Sequence, residues 1–207
     1  MTFVEGFYSF NLEISNPDSG IYAKTRVKTP KHPNETFEHL HARVLAYCHC
    51  YQAELKFTRG LFETSEPTIW KKDVIENLLV WVQVGCPSRK KLQKALRANG
   101  GTDYRVYFFE EVQLEGFCGY LRGSKSNWIQ PVKFFQLDTK FLEATTDLAR
   151  SSSTWNITIV DDNLYLTING QDFQTAIVSV DMWHQFQLFL SEQTERTGGK
   201  KDVSLEL

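Results

Sequence analysis

LLVWVQVGCPSRKKLQKALRANGGTDYRVYFF, residues 78–109, decides the fold. Its opening run, LLVWVQVG (78–85), is almost wholly apolar, the pattern of a strand covered on both faces. Pro87 and Ser88 suit a helix entrance, Leu92, Ala95 and Leu96 supply an apolar side, and Asn99-Gly100-Gly101 reads as a helix stop. DYRVYFF (103–109) is a second strand. A helix between two strands makes them parallel, in a right-handed β-α-β unit. LLVWVQVG therefore belongs at the centre of a sheet.

Upstream, HPNETFEHLHARVLAYCHCYQAEL predicts a helix over about 35–53. Asn34 is placed as its N-cap, Glu35 and Glu38 sit near the positive end of the helix dipole, and Phe37, Leu40, Val44, Tyr47, Cys48 and Tyr51 form one stripe. Before it, residues 3–29 read as a hairpin turning at Asn16-Pro17-Asp18-Ser19-Gly20, and after it LKFTRGL (55–61) reads as a short strand. Residues 110–130 hold Gly116, Gly119 and Gly123, which argue against a continuous helix. VKFFQLD (132–138) predicts a strand and TKFLEATTDLAR (139–150) a helix. TWNITIV, NLYLTI and FQTAIVSV predict strands, with Asn169-Gly170 a tight-turn signal between the last two. From about residue 191 the sequence turns polar and predicts a disordered tail. The expectation is one domain over 1–190 and a tail over 191–207.

The chain has 207 residues, 42% hydrophobic and 23% charged, with a net charge of -2. This is a globular composition, and it gives no whole-chain attraction for a polyanion, so any such site must be a local patch. No apolar run approaches the length of a membrane span and Glu5 stands where a secretory signal would be basic, so the expected location is cytoplasmic with no membrane partner. Cys48, Cys50, Cys86 and Cys118 are too few and too irregular for a disulfide framework and are expected as free thiols. His39, His41, Cys48, His49 and Cys50 crowd one helix, but residues two apart on a helix point to nearly opposite sides, which argues against a zinc site. There is no GxGxxG, Walker loop, GxSxG or HExxH.

One helix is strongly basic. Arg89, Lys90, Lys91, Lys94 and Arg97 follow directly from the central strand, and Lys90, Lys94 and Arg97 share a face opposite Leu92 and Leu96. That face is either a solvated surface or a phosphate-binding strip. Glu35, Glu38, Glu66 and Asp73 are the acids available to a hard cation such as Mg²⁺.

HPNETFEHLHARVLAY (32–47), LKFTRGLFETSEPTIWKKD (55–73) and WVQVGCPSRKKLQKA (81–95), in this order, closely resemble the YaeQ family of small bacterial proteins. The resemblance is specific over residues 31–107, looser over 1–30 and 132–180, and absent from the tail. It implies an α/β (α+β) fold: a mixed β-sheet flanked by helices, similar to the PD-(D/E)XK nuclease core, with added N- and C-terminal β-hairpins. In that core an acid on the first helix, an Asp near the start of one strand and an acid-x-Lys on the next gather a divalent metal around a scissile phosphate. Carried over, the metal ligands are Glu38 (with Glu35 as the other choice), Asp73 and Gln83, with Lys91 and Lys94 completing the catalytic set. The resemblance thus implies Mg²⁺ or Mn²⁺ as cofactor and a nucleic acid as partner. Gln83 replaces the family's usual Glu, Gly85 fills the lysine place, and Leu79 stands where many relatives carry an acid. These departures set two expectations side by side: a weak metal-dependent nuclease or phosphodiesterase, or a catalytically inactive binding or scaffold module. The first also requires Asp73 and Gln83 to converge in space.

Overall fold

The computed structural model describes residues 6–98, 101–122 and 126–198. Its frame is β5 (Leu78–Val84), whose side chains alternate between two separate cores. Val80, Val82 and Val84 face one, and Trp81 faces the other. On one edge β5 pairs antiparallel with β4 (Ile69–Lys72), which pairs with the two-residue β3 (Lys56–Phe57). On the other edge it pairs parallel with β6 (Asp103–Phe108), reached through α2 (Arg89–Ala98). The β-α-β unit and the central place of LLVWVQVG are thus both present. β6 continues in parallel to β7 (Val132–Gln136), and the short β11 (Val178–Ser179) completes a six-stranded sheet in the order β11-β7-β6-β5-β4-β3.

The N-terminal hairpin, β1 (Gly6–Asn16) and β2 (Ile21–Lys31), does not stay separate from the C-terminal strands. β1 pairs in parallel with β8 (Ser152–Val160), which continues through β9 (Asn163–Ile168) to β10 (Gln171–Ala176), giving a second sheet in the order β10-β9-β8-β1-β2. The two hairpins expected as additions are therefore one five-stranded sheet. Phe10, Leu12, Ile14, Trp155, Ile157 and Ile159 line its inner face.

Between the two sheets lies α1 (Phe37–His49), buried all round from Leu40 to Cys48, with α4 (Thr139–Thr146) beside it. Its N-cap is Thr36, whose hydroxyl accepts from the His39 N–H at 3.2 Å, and not Asn34. On the far side of the six-stranded sheet, α2, α3 (Glu111–Leu121) and α5 (Met182–Gly198) cover the second core through Leu92, Phe117, Leu121, Met182 and Phe186. α3 ends at Leu121, so 110–130 is not one continuous helix, yet α3 itself runs through Gly116 and Gly119. Both glycines stand on its open side, and burial of Phe117, Cys118 and Leu121 outweighs the roughly 1 kcal/mol each glycine costs a helix. α5 likewise carries helix past residue 191 as far as Gly198, where the sequence predicted a tail. The Asn99-Gly100 part of the expected helix stop and Gly123 lie outside the described residues. Among the described residues no helix is long and apolar enough to cross a membrane, and the four cysteines are free.

Candidate functional site

α2 is fixed on one side only. Leu92 is fully buried, the Tyr104 hydroxyl donates to the Ala95 carbonyl at 2.8 Å, and the Ser88 hydroxyl accepts from the Lys91 N–H at 3.2 Å to start the helix. Pinned along Leu92 and Ala95, the helix presents Lys90 and Lys94 outward. Arg89, Lys90 and Lys91 occupy its first turn with no acid there, although cations at the positive end of a helix dipole are unfavourable. Lys91 is half-buried, and burial pulls its ammonium down to about 8, the charges of Glu63 and Glu66 acting in the opposite sense. Together these groups concentrate positive charge at the start of α2, with Glu63 and Glu66 of the loop before β4 as the nearby acids.

That end of the helix borders a groove of about 520 Å³ shared with the 64–67 loop and the β4–β5 hairpin. Trp70, half-buried, and its cross-strand partner Trp81, buried, border it together with Lys90, Lys91 and Lys94. The Lys72 ammonium sits 4.3 Å from the Trp70 ring centroid and 2.8 Å from Glu76 Oε2. The groove thus combines the α2 lysines with Glu66 and Glu76, and its aromatic surface is that of Trp70 beneath Lys72.

The five residues carried over from the resemblance do not converge. Lys91 and Lys94 share the groove. Asp73 lies past the end of β4, in the hairpin turn, where its carboxylate accepts from the Ile75 and Asn77 N–H groups and the Asn77 side-chain amide, each at 2.9 Å. These hydrogen bonds, from the Asn77 side chain first, hold the carboxyl below its usual range against a small effect of burial. Gln83 is six residues along β5 from Asn77, about 20 Å at the rise of a strand. The expected meeting of Asp73 and Gln83 is therefore corrected: they stand at opposite ends of one strand.

What β4 brings to the Gln83 end is Thr68. Its N–H donates to the Val82 carbonyl at 2.8 Å and its hydroxyl accepts from the Val84 N–H at 3.0 Å, bracketing Gln83. The Gln83 amide folds onto the Val84 carbonyl at 2.8 Å, leaving its own oxygen buried without a hydrogen-bond partner among the described residues. Gly85, in the lysine place, has φ of +82°, a conformation that strains any side chain, which accounts for glycine there.

Glu38 is also misplaced by the carry-over. It stands on the α1 side of the sheet, near enough to influence His41, which packs edge-on to Trp155 of the other sheet, whereas Gln83 shares the Trp81 face. Glu35 is the buried acid. It accepts from Arg43 at 2.7 Å, from the His39 ring at 3.0 Å and from the His32 N–H at 3.1 Å, while Arg43 also donates to the Thr29 hydroxyl and to the Pro30 carbonyl. Burial acts to raise the Glu35 pKa, but the His39 hydrogen bond and the charge of Arg43 outweigh it and hold the carboxyl at about 2. Gly60, at φ of +61°, lets the loop approach this guanidinium, since a Cβ there would lie 3.3 Å from Arg43 Nη1. Sequence periodicity missed this network because Glu35 lies in the turn before α1 and Arg43 interrupts no apolar pattern.

These positions do not fit a divalent metal. Among the described residues no three His, Cys, Asp or Glu side chains are grouped to hold one, and the Asp73 carboxylate is bound in the hairpin turn, at the other end of β5 from the neutral amide of Gln83.

Comparison with known proteins agrees with the fold. The model of the YaeQ protein family matches residues 1–177. The chain is 22% identical over 180 residues to YaeQ of Escherichia coli (strain K12), covering 86% of this chain and 95% of that one, and 23% identical over 178 residues to YaeQ of Salmonella typhi, with the same coverage. The crystal structure of YaeQ from Xanthomonas axonopodis pv. citri matches with a TM-score of 0.77 at 22% identity, over 85% of this chain and 98% of that one. YaeQ from Pseudomonas syringae matches with a TM-score of 0.73 at 23% identity, over 85% and 96%. Those matches, together with the central β5-α2-β6 unit and the buried helix before it, place this chain in the YaeQ family.

Proposed function

We propose that this protein is a binding module for nucleic acid, holding phosphates along the first turns of α2, built on a nuclease-like core that lacks the acids for metal-dependent cleavage. The observation that carries the reading is the set of cations Arg89, Lys90 and Lys91 gathered in one helical turn without an acid in that turn, beside a groove lined by Trp70 and Lys94. Such a cluster raises the energy of the free protein and is relieved by a bound anion. The succession α1-β3-β4-β5-α2-β6, with β5 and β6 parallel across α2, supports the nuclease-like part of the reading. In that frame the place at the start of β4 holds Thr68, and its neighbour on β5 is Gln83. Two neutral side chains stand where the nuclease chemistry needs two carboxylates, which favours binding over hydrolysis.

The test is duplex DNA binding across a salt series by the protein and by the double variant Lys91→Ala, Lys94→Ala. Removing one cation from a phosphate should flatten the log–log salt slope by about 0.9, so the double variant should bind more weakly with a slope reduced by one to about two. Because Lys91 loses its proton near 8, affinity should also fall between pH 7 and 9, and Lys91→Arg should remove that fall. An unchanged slope in a folded double variant leaves α2 as solvated surface and overturns the reading.

A further inference from the structure

The five-stranded sheet makes two tight turns at the same end, and both carry acids. Asn16-Pro17-Asp18-Ser19-Gly20 joins β1 to β2, and Asp161-Asp162 joins β8 to β9, the strand that lies parallel to β1 leading into it. The Asp161 N–H donates to Asp18 Oδ2 at 2.7 Å, which ties the turns together, and the Ser19 N–H donates to the Asn16 side chain at 3.1 Å. Asp161 and Asp162 both take positive φ, 47° and 60°. The β9–β10 turn of the same sheet meets the same demand with Asn169-Gly170, a pair that two-residue hairpins favour. An aspartate at the second place does nothing for such a turn, so its carboxylate calls for another cause.

The two turns border a cavity of about 330 Å³ between the sheets. The five-stranded sheet contributes Asp18 and Asp162 to it, β6 of the other sheet contributes Arg105, and the end of α1 contributes His49. The His49 ring is kept neutral by burial and is fixed by a 2.8 Å hydrogen bond between Nδ1 and the Tyr107 hydroxyl. Arg105 Nε and Nη2 donate to Asp103 Oδ2 at 2.8 and 2.7 Å, while Lys133 Nζ holds Asp103 Oδ1 at 2.9 Å. One carboxylate thus stands between two cations, and the group carries one positive charge in excess at the cavity. Among the described residues neither Asp18 nor Asp162 is in an ion pair.

The lining therefore presents both signs of charge, held in place by contacts within the protein. A simple anion would meet two carboxylates, and a simple cation would meet the Arg105 excess; a molecule with one group of each sign satisfies both. Ile21 and Ile159 supply an apolar patch for its carbon body. The volume is at the small end of the roughly 300–1,000 Å³ of ligand cavities, which suits a molecule of amino-acid size.

We propose that this cavity binds a small zwitterion of the α-amino-acid class, its carboxylate on the Arg105 guanidinium and its ammonium at the carboxylates of Asp18 and Asp162. The site is separate from the α2 groove and stands whether or not that groove binds nucleic acid.

The experiment titrates the full chain with each standard amino acid by calorimetry. For every one that binds, the controls are the amine lacking its carboxylate and the acid lacking its amino group. At least one amino acid should bind, and both controls should bind about tenfold more weakly or worse, since each forfeits a charge-assisted contact. The variant Asp18→Asn, Asp162→Asn keeps an oxygen for the Asp161 N–H, and asparagine tolerates positive φ, so the turns survive. It should bind the amino acid about tenfold more weakly and the acid control no more weakly than the wild type does. Absence of binding by every amino acid overturns the proposal. Undiminished binding by the folded double variant places the ligand elsewhere and overturns it, and an amine control that binds as well as the amino acid overturns the zwitterion in favour of a plain cation.

Discussion

α1 and α2 flank the same strand and use their cations in opposite ways. α1 is enclosed between two sheets, and its Arg43 is wholly buried against Glu35, Thr29 and the Pro30 carbonyl. α2 is covered along Leu92, Ala95 and Leu96, and Lys90, Lys91 and Lys94 border a groove. The same kind of charge is therefore structural on one helix and available on the other. Solvent decides the difference: a buried cation must bring its partners with it, while exposed cations are met by water.

The strongest way to break this comparison is Arg43→Ala. Removing the guanidinium strands the Glu35 carboxylate in the core, and stability by urea unfolding should fall by about 3–5 kcal/mol. A loss below about 1 kcal/mol would mean that the network is dispensable and that α1 differs from α2 in location only.

Acid titration sharpens the same point. His41 and His49 are both held at about 4 by burial, Glu38 acting on His41 in the opposite sense and Arg105 adding to the effect at His49. A depressed folded pKa gives stability that is complete above the unfolded value and lost as pH falls through the folded one. The histidine contributions should decline from about pH 6.5 to 4, and that of Glu35 from about 4.5 to 2. Unfolding free energy should therefore decline in two successive stretches. Glu35→Gln should flatten only the lower stretch, and a flattening of the upper one would assign that stretch wrongly to the histidines.

The smallest expected effect is at Asp73. Asp73→Ala removes the hydrogen bonds that set the hairpin turn, and hydrogen exchange at the Ile75 and Asn77 amides should quicken by roughly tenfold while the global unfolding midpoint stays in place. A large fall in global stability would show that the turn is coupled to the core and is not a local feature.

The central strand, the parallel unit through α2 and the basic face of that helix were legible in residues 78–109 because each rests on local pattern: a two-sided apolar run, a helical period, a charge cluster. The hairpin signals at 16–20 and 169–170 were legible for the same reason. Tertiary structure alone decided that β1 and β8 pair in parallel, that α1 is buried on every side despite Arg43 and His41, and that α3 persists through two glycines. It also decided the site. Reading Asp73 and Gln83 as neighbours carried the nuclease-core pattern onto the acid in WKKD, but a hairpin reverses direction and each strand residue advances about 3.3 Å, so an acid after β4 lands beside the start of β5. The residue before β4, Thr68, is the one that reaches Gln83. Which side chains share a site depends on strand direction and register, which are set by burial against the two cores and not by the motif.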